Sequence, residues 1–195
     1  KSANVATQTT TNNIGLGGPN KNADLVNLYS KTANINAQVQ AEYAITTVTG
    51  TNQISDVGQV TPITSNQTTT NTTKPTTAID IKSLGGMTAG SISLVGTDKG
   101  LWVNQVFILN ANQAITITAD GKITHSGQSS VQQGVVSLKS NTAVGLNGST
   151  SNKTTIWASK DIAMSAPTIM ANHASLNSTS NITLQAKQEL GTNNT

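Results

Sequence analysis

The chain lacks cysteine altogether, and all eleven of its basic residues are lysine, so arginine is missing as well. Without cysteine there are no disulfides, no thiolate zinc sites and no cysteine nucleophiles. Without arginine there is no planar fork to grip a phosphate or a guanine edge. The lysines are scattered, and two tryptophans, two tyrosines and one phenylalanine are all that is available to stack on bases. No nucleic-acid partner is expected on these grounds. Aromatics make up 3% of the chain and charged residues 10%, where a globular protein carries about a quarter charged. A core built around large rings is excluded, while the low charge is unlike that of a disordered chain. No apolar run approaches the roughly eighteen residues that span a bilayer, so no transmembrane segment is expected. The sequence opens on Lys1 without a charged-then-apolar leader, which leads us to expect a piece of a longer protein.

What the chain does contain is small aliphatic residues alternating with Thr, Asn and Ser. Five segments share an apolar-x-apolar centre: SISLVGT (91–97), AITITAD (114–120), VVSLKSN (135–141), TTIWASK (154–160) and NITLQAK (181–187). Their second core positions, Leu94, Ile117, Leu138, Trp157 and Leu184, lie 23, 21, 19 and 27 residues apart. Shorter alternating pieces follow at 121–127, 142–148 and 161–167. Alternation over four to six residues predicts strands, and no window holds a helical stripe. Short strands at a period near twenty, punctuated by Gly, Asn, Ser and Asp, predict a parallel β-helix with two or three strands per coil.

The narrow interior of such a coil stack takes Ile, Leu, Val and Ala, and its corners take Asn, Gly, Ser and Thr. Equivalent Asn and Thr side chains can then bond in ladders along the axis. Residues 25–28, 33–39 and 44–48 alternate in the same way, closed by a Gly50-Thr51-Asn52 turn. Residues 57–77, a Thr/Asn tract bracketed by Pro62 and Pro75, break the pattern. We read them as a loop or hairpin extruded from the stack, because proline is excluded from central strands. Residues 1–20 are expected to form a polar extension beyond, or loosely over, the first coil.

The stretch AIDIKSLGGMTAGSISLVGTDKGLWVNQ (78–105) resembles a segment of the large exoproteins of the two-partner secretion pathway, a group that includes filamentous haemagglutinin-type adhesins and contact-dependent growth-inhibition exoproteins. The family pattern runs approximately LD-x-x-x-LGGMYAG-x-I-x-L-x-GTE-x-G-x-GV-x-N. This chain keeps Asp80, Leu84, Gly85, Gly86, Met87, Ala89, Gly90, Ile92, Leu94, Gly96, Thr97, Gly100, Val103 and Asn104. It departs at Thr88, at Asp98 and at Leu101-Trp102. Upstream, residues 24–55 resemble the family's stretch that leads to its VTG-x-N-x-V turn, and 106–195 resemble its haemagglutinin-type repeats in style only.

The resemblance implies a right-handed β-helix, export through a dedicated outer-membrane transporter and residence at the bacterial surface. The family's Asn-Pro motifs, which open its secretion domain, do not occur here. Residues 21–105 are therefore expected to be the C-terminal part of a secretion-domain-like β-helix, and 106–195 to be repeat coils that continue it. The partners implied are the transporter and a receptor on a host cell or target bacterium. In the residues themselves, Gly85, Gly86, Ala89 and Gly90 suit a tight corner packed close to a neighbouring coil.

Few residues offer chemistry. His125 and His173 lie in stretches of hydroxyls and amides, and we read both as structural or solvent-facing. The carboxylates Asp24, Glu42, Asp56, Asp80, Asp98, Asp120, Asp161 and Glu189 are isolated in sequence, whereas β-helical polysaccharide hydrolases need clustered ones. Asp98 and Asp120, at comparable turns, are the pair that stacking has most reason to bring together for catalysis or calcium. Turn aspartates have ordinary hydrogen-bonding reasons as well. Trp157 is expected in the core, and Trp102 either exposed or inside. The Asn-x-Ser/Thr triplets at Asn66, Asn71, Asn147, Asn152, Asn177 and Asn181 are what so Asn/Thr-rich a chain produces by chance. We assign no catalytic, cofactor-binding or metal-ligating residue, and expect no cofactor and no enzymatic activity. The reading is a shaft segment of a surface exoprotein. A β-helical polysaccharide-processing or tailspike-like enzyme and a generic autotransporter passenger are the alternatives.

Overall fold

A computed structural model describes residues 2–6, 14–18, 23–63 and 76–192. Among these the regular structure is all strand, wound into a parallel β-solenoid of about seven turns. Each complete coil contributes three short strands, so the stack has three faces. The first face runs from Leu25–Ser30 and Ala44–Thr49 through 91–96, 114–119, Val135–Ser140 and 162–165 to 182–186. The second runs from Ser2–Ala6 and Thr32–Asn36 through Thr77–Ile81, Trp102–Gln105, Ile123–His125, Ala143–Asn147 and 168–172 to 189–191. The third runs from Ile14–Leu16 and Gln38–Gln40 through 86–89, 108–111, Gln128–Val131 and Thr154–Ala158 to Ala174–Ser178.

Alternation sends every second side chain inward, where like stacks on like. Ile45, Ile92, Ile115, Val136 and Ile162 form one continuous buried column. Beside it runs the column Leu28, Thr47, Leu94, Ile117, Leu138, Met164 and Leu184. Leu184 is only partly covered because nothing described stacks beyond it. This column corrects the expected equivalences at one point. Met164, not Trp157, follows Leu138, and Trp157 lies on the third face between Ser130 and Asn177, half-buried and pointing outward. A corner turn at 148–153 lengthens its coil, so the first-face strand returns late and 154–160 mimics it in sequence. For the same reason 161–167 opens a new coil instead of closing the previous one.

The glycines of 85–90 serve close approach. A Cβ on Gly85 would stand 2.1 Å from the Ile35 carbonyl oxygen, and one on Gly90 2.5 Å from that of Tyr43. Neither has a positive φ, so steric room between coils, not backbone freedom, is what these positions require.

Two stretches differ from expectation at their edges. The excursion is a hairpin that starts at Asn52 rather than at 57: Asn52–Ile54 pairs antiparallel with Val60–Pro62. The stack resumes at Thr77–Ile81, while 64–75 lies outside the described residues. Near the N-terminus, Ser2–Ala6 and Ile14–Leu16 are not a loose cover but add parallel strands to the second and third faces. Among the described residues, no helix is long and apolar enough to cross a membrane.

Candidate functional site

Three of the carboxylates, isolated in sequence, acquire partners one coil away. Asp80 Oδ1 accepts from Asn104 Nδ2 at 2.8 Å, Asp120 Oδ1 from Asn141 Nδ2 at 2.8 Å, and Asp161 Oδ1 from Asn181 Nδ2 at 3.2 Å. Each bond is a rung between neighbouring coils. The signal was present as an Asp followed by an Asn at one coil's spacing, but it is visible only once the coil boundaries are known. The hydroxyl of Ser180, with the Asn181 backbone and side chain, holds the exposed Asp161 carboxyl below its usual range.

Asp98 is used differently, and its surroundings join the two stretches that carry the family resemblance. The turn of residues 48–52 and the turn of residues 96–100 sit on the same corner of adjacent coils. The Thr97 amide donates to the Thr49 carbonyl at 3.0 Å, and the Thr97 hydroxyl lies 2.7 Å from Asn52 Oδ1. Gly50 has φ +122°, and a Cβ there would meet Thr97 Oγ1 at 2.2 Å, so this position needs glycine on both counts. The Thr51 amide donates to Asp98 Oδ1 at 2.7 Å, and Lys31 Nζ reaches both Asp98 Oδ2 and Thr51 Oγ1. Partial burial pushes the Asp98 carboxyl up. The Lys31 ammonium and the Thr51 amide more than offset that, leaving it below its ordinary value.

Lys31, Thr51 and Asp98 come from three successive coils. They clamp the point where the hairpin leaves the stack. Beside the clamp, Tyr29, Lys31, Val48, Thr51, Asn52 and Ile54 line an open cavity of about 350 Å³. Tyr29, Ile54, Val57 and Ile63 are exposed nearby, with Val57 at 84%. A second open cavity, of about 360 Å³, lies on the first face between Lys139, Asp161, Asn181 and Gln185.

Asp98 and Asp120 are drawn to different neighbours and do not form the pair considered from the sequence. Among the described residues, no three of His, Cys, Asp and Glu gather where they could hold a metal ion. His125 is fully buried, with Nε2 2.7 Å from Ser129 Oγ, and His173 sits at a half-buried turn with φ 45°. The Ser129 hydroxyl is itself sealed inside, so the two do not present a nucleophile to solvent. Trp102 is 47% exposed, with Lys122 Nζ 5.6 Å from its ring centroid. Asn152, Asn177 and Asn181 are exposed and Asn147 is half-buried, while Asn66 and Asn71 lie outside the described residues.

No protein-family model matches the chain, and no solved structure matches it. Curated proteins do. The chain is 33% identical over 141 residues, 69% of its length, to Toxin CdiA of Yersinia pestis. It is 33% identical over 116 residues, 58% of its length, to tRNA nuclease CdiA-2 of Burkholderia pseudomallei. It is 30% identical over 148 residues, 73% of its length, to 16S rRNA endonuclease CdiA of Enterobacter cloacae. The match spans 4% of the length of each of these relatives. These names overturn the expectation of a protein without enzymatic activity, since relatives of this chain are named as RNA-cleaving enzymes.

Proposed function

We propose that this chain is a stretch of the β-solenoid shaft of a contact-dependent growth-inhibition exoprotein. In this reading residues 21–105 close the secretion domain and 106–195 begin the repeat shaft. The parent is exported by a two-partner outer-membrane transporter, stands on the bacterial surface, and carries a toxic nuclease borne elsewhere along its length. The observation that carries the reading is the corner just described, where the 48–52 and 96–100 turns interlock and regular coils follow from Trp102 onward. Similarity to CdiA proteins along more than half of the chain supports it.

A parallel stack suits a shaft because each coil adds length at nearly constant width and needs only its neighbours for stability. It also suits vectorial export, since coils can fold one after another as the chain emerges. The test is made in the full-length parent protein. Leu94→Asp places a charge inside the stack, and it should reduce surface display and growth inhibition of contacting target bacteria together. Replacing the 141-residue matching stretch by the corresponding coils of the Yersinia pestis relative should preserve both. Normal display and inhibition with Leu94→Asp, or inhibition lost while display of the coil replacement is intact, would remove the shaft reading.

A further inference from the structure

One interior column changes character halfway along the stack. On the second face the inward positions run Ile35, Ile81, Gln105, His125, Leu146 and Ala171. Two polar residues replace aliphatic ones at adjacent levels, and both are fully buried. Gln105 Nε2 donates to the Phe107 carbonyl, and His125 Nε2 lies 2.7 Å from the hydroxyl of Ser129, itself buried on the third face. Two buried atoms are left without a bond, Gln105 Oε1 and His125 Nδ1. They belong to register partners on coils roughly 4.8 Å apart, one an acceptor and the other able to donate.

We propose that Gln105, His125 and Ser129 form an acid-sensitive lock inside the solenoid, an uncharged relay that ties adjacent coils together near neutral pH and loosens them when His125 takes up a proton. In the locked state Nε2 accepts from the Ser129 hydroxyl, which places the imidazole proton on Nδ1, and Gln105 Oε1 on the register partner is the unbonded acceptor at the adjacent level. A second proton, on Nε2, turns Ser129 Oγ into an acceptor and leaves the serine hydrogen without its partner. The new charge also has no counter-ion. Of the strands packed around His125, namely Trp102–Gln105, Ile108–Ala119, Gln128–Val131, Val135–Ser140, Ala143–Asn147 and Thr154–Ala158, only Val135–Ser140 bears a charged residue. That residue is Lys139, whose position is exposed and whose charge has the wrong sign. An unpaired buried cation is costly.

Burial accordingly pulls the His125 pKa down from 6.5 to about 4. Its folded value is depressed, so the unfolded chain binds a proton that the folded chain refuses, and stability falls as pH drops from about 6.5 towards 4. From pH 7 to pH 5 this one group should lower the folded-to-unfolded ratio roughly 20-fold. Because coils depend chiefly on their neighbours, opening should be concentrated at 102–131.

The experiment uses the whole chain. Imidazole nitrogen shifts recorded from pH 7.5 to 4 should report the Nδ1–H tautomer, with no titration of His125 above pH 5. Urea unfolding at pH 7 and pH 5 should show a loss of stability that His125→Leu, which restores an aliphatic column, reduces by roughly 20-fold in the equilibrium constant. Hydrogen exchange at pH 5 should quicken first at 102–131 in the unsubstituted chain. An Nε2–H tautomer, a His125 titration near 6.5, or an unaltered pH dependence in His125→Leu would each overturn the lock. If His125→Leu does not fold, the nitrogen titration of the unsubstituted chain decides alone.

Discussion

At the scale of single residues, what matters is whether a side chain faces its equivalents in the neighbouring coils or faces water. Leu138 is 1% exposed, held between Ile117 and Met164. Leu138→Ala should therefore cost about 2–5 kcal/mol of unfolding free energy, read from the urea midpoint. Trp157→Ala, outside the column, should cost clearly less despite removing a larger side chain. Gly85→Ala tests the opposite error, since the added methyl would meet the Ile35 carbonyl at 2.1 Å, backbone that has no room to yield. A loss of about 1–3 kcal/mol is expected. Alternation made inward positions such as Ile92, Leu94 and Ile117 legible in the sequence. The Asp–Asn rungs were not, because a hydrogen bond between residues 20 or so apart leaves no local pattern. Nor was the Gln105–His125 pair, since two polar residues one coil apart look like surface until the register is known.

At the scale of elements, the hairpin and its clamp are the part that departs from plain repetition. The Asp98 carboxylate holds the Thr51 amide and the Lys31 ammonium, so it fixes the direction in which Asn52–Ile54 leaves the stack. Asp98→Asn keeps the shape and removes the charge. Because Lys31 is partly in water, the global cost should be about 1 kcal/mol or less, but amide exchange across 51–62 should accelerate. The Asp98 pKa is depressed in the folded chain, so its contribution is fully present above its ordinary value of 3.8 and is lost as pH falls below that. A hairpin that loosens with acid only below about pH 4 in the parent, and not in Asp98→Asn, is the expected signature. Equal exchange rates in both proteins would show that the hairpin is held by other contacts. The first-face strands as far as Val135–Ser140 were readable from periodicity. Phase was lost where the corner at 148–153 lengthened a coil, because a period is informative only while the corners keep their length. The excursion was recognisable from Pro62 and its polar tract, but its first strand was not, since Asn52–Ile54 carries no break in composition.

At the scale of the molecule, about seven turns at ~4.8 Å each make a stack roughly 34 Å long. Its cohesion is a sum of contacts between neighbouring levels, and this predicts that coils are removable units provided the register is kept. Ala114 and Val135 occupy equivalent places on successive coils. Deleting 114–134 therefore joins Gln113 to Val135 and takes out one level whole. The surfaces brought together are compatible: Ile92 then meets Val136, Leu94 meets Leu138, and Val103 meets Val144, all aliphatic and all buried in the intact chain. Gln105 loses His125 and faces Leu146, which should cost some stability without preventing folding. The shortened chain should keep its β-type circular dichroism, unfold cooperatively, and measure about 5 Å shorter by small-angle X-ray scattering. Deleting only 114–124 removes fewer residues but leaves half a coil. Inward side chains past the junction would then fall on the wrong face, and a misfolded or aggregated product is expected. If the half-coil deletion folded as well as the whole-coil one, cohesion would not depend on register, and the solenoid could not be a shaft built by adding equivalent levels.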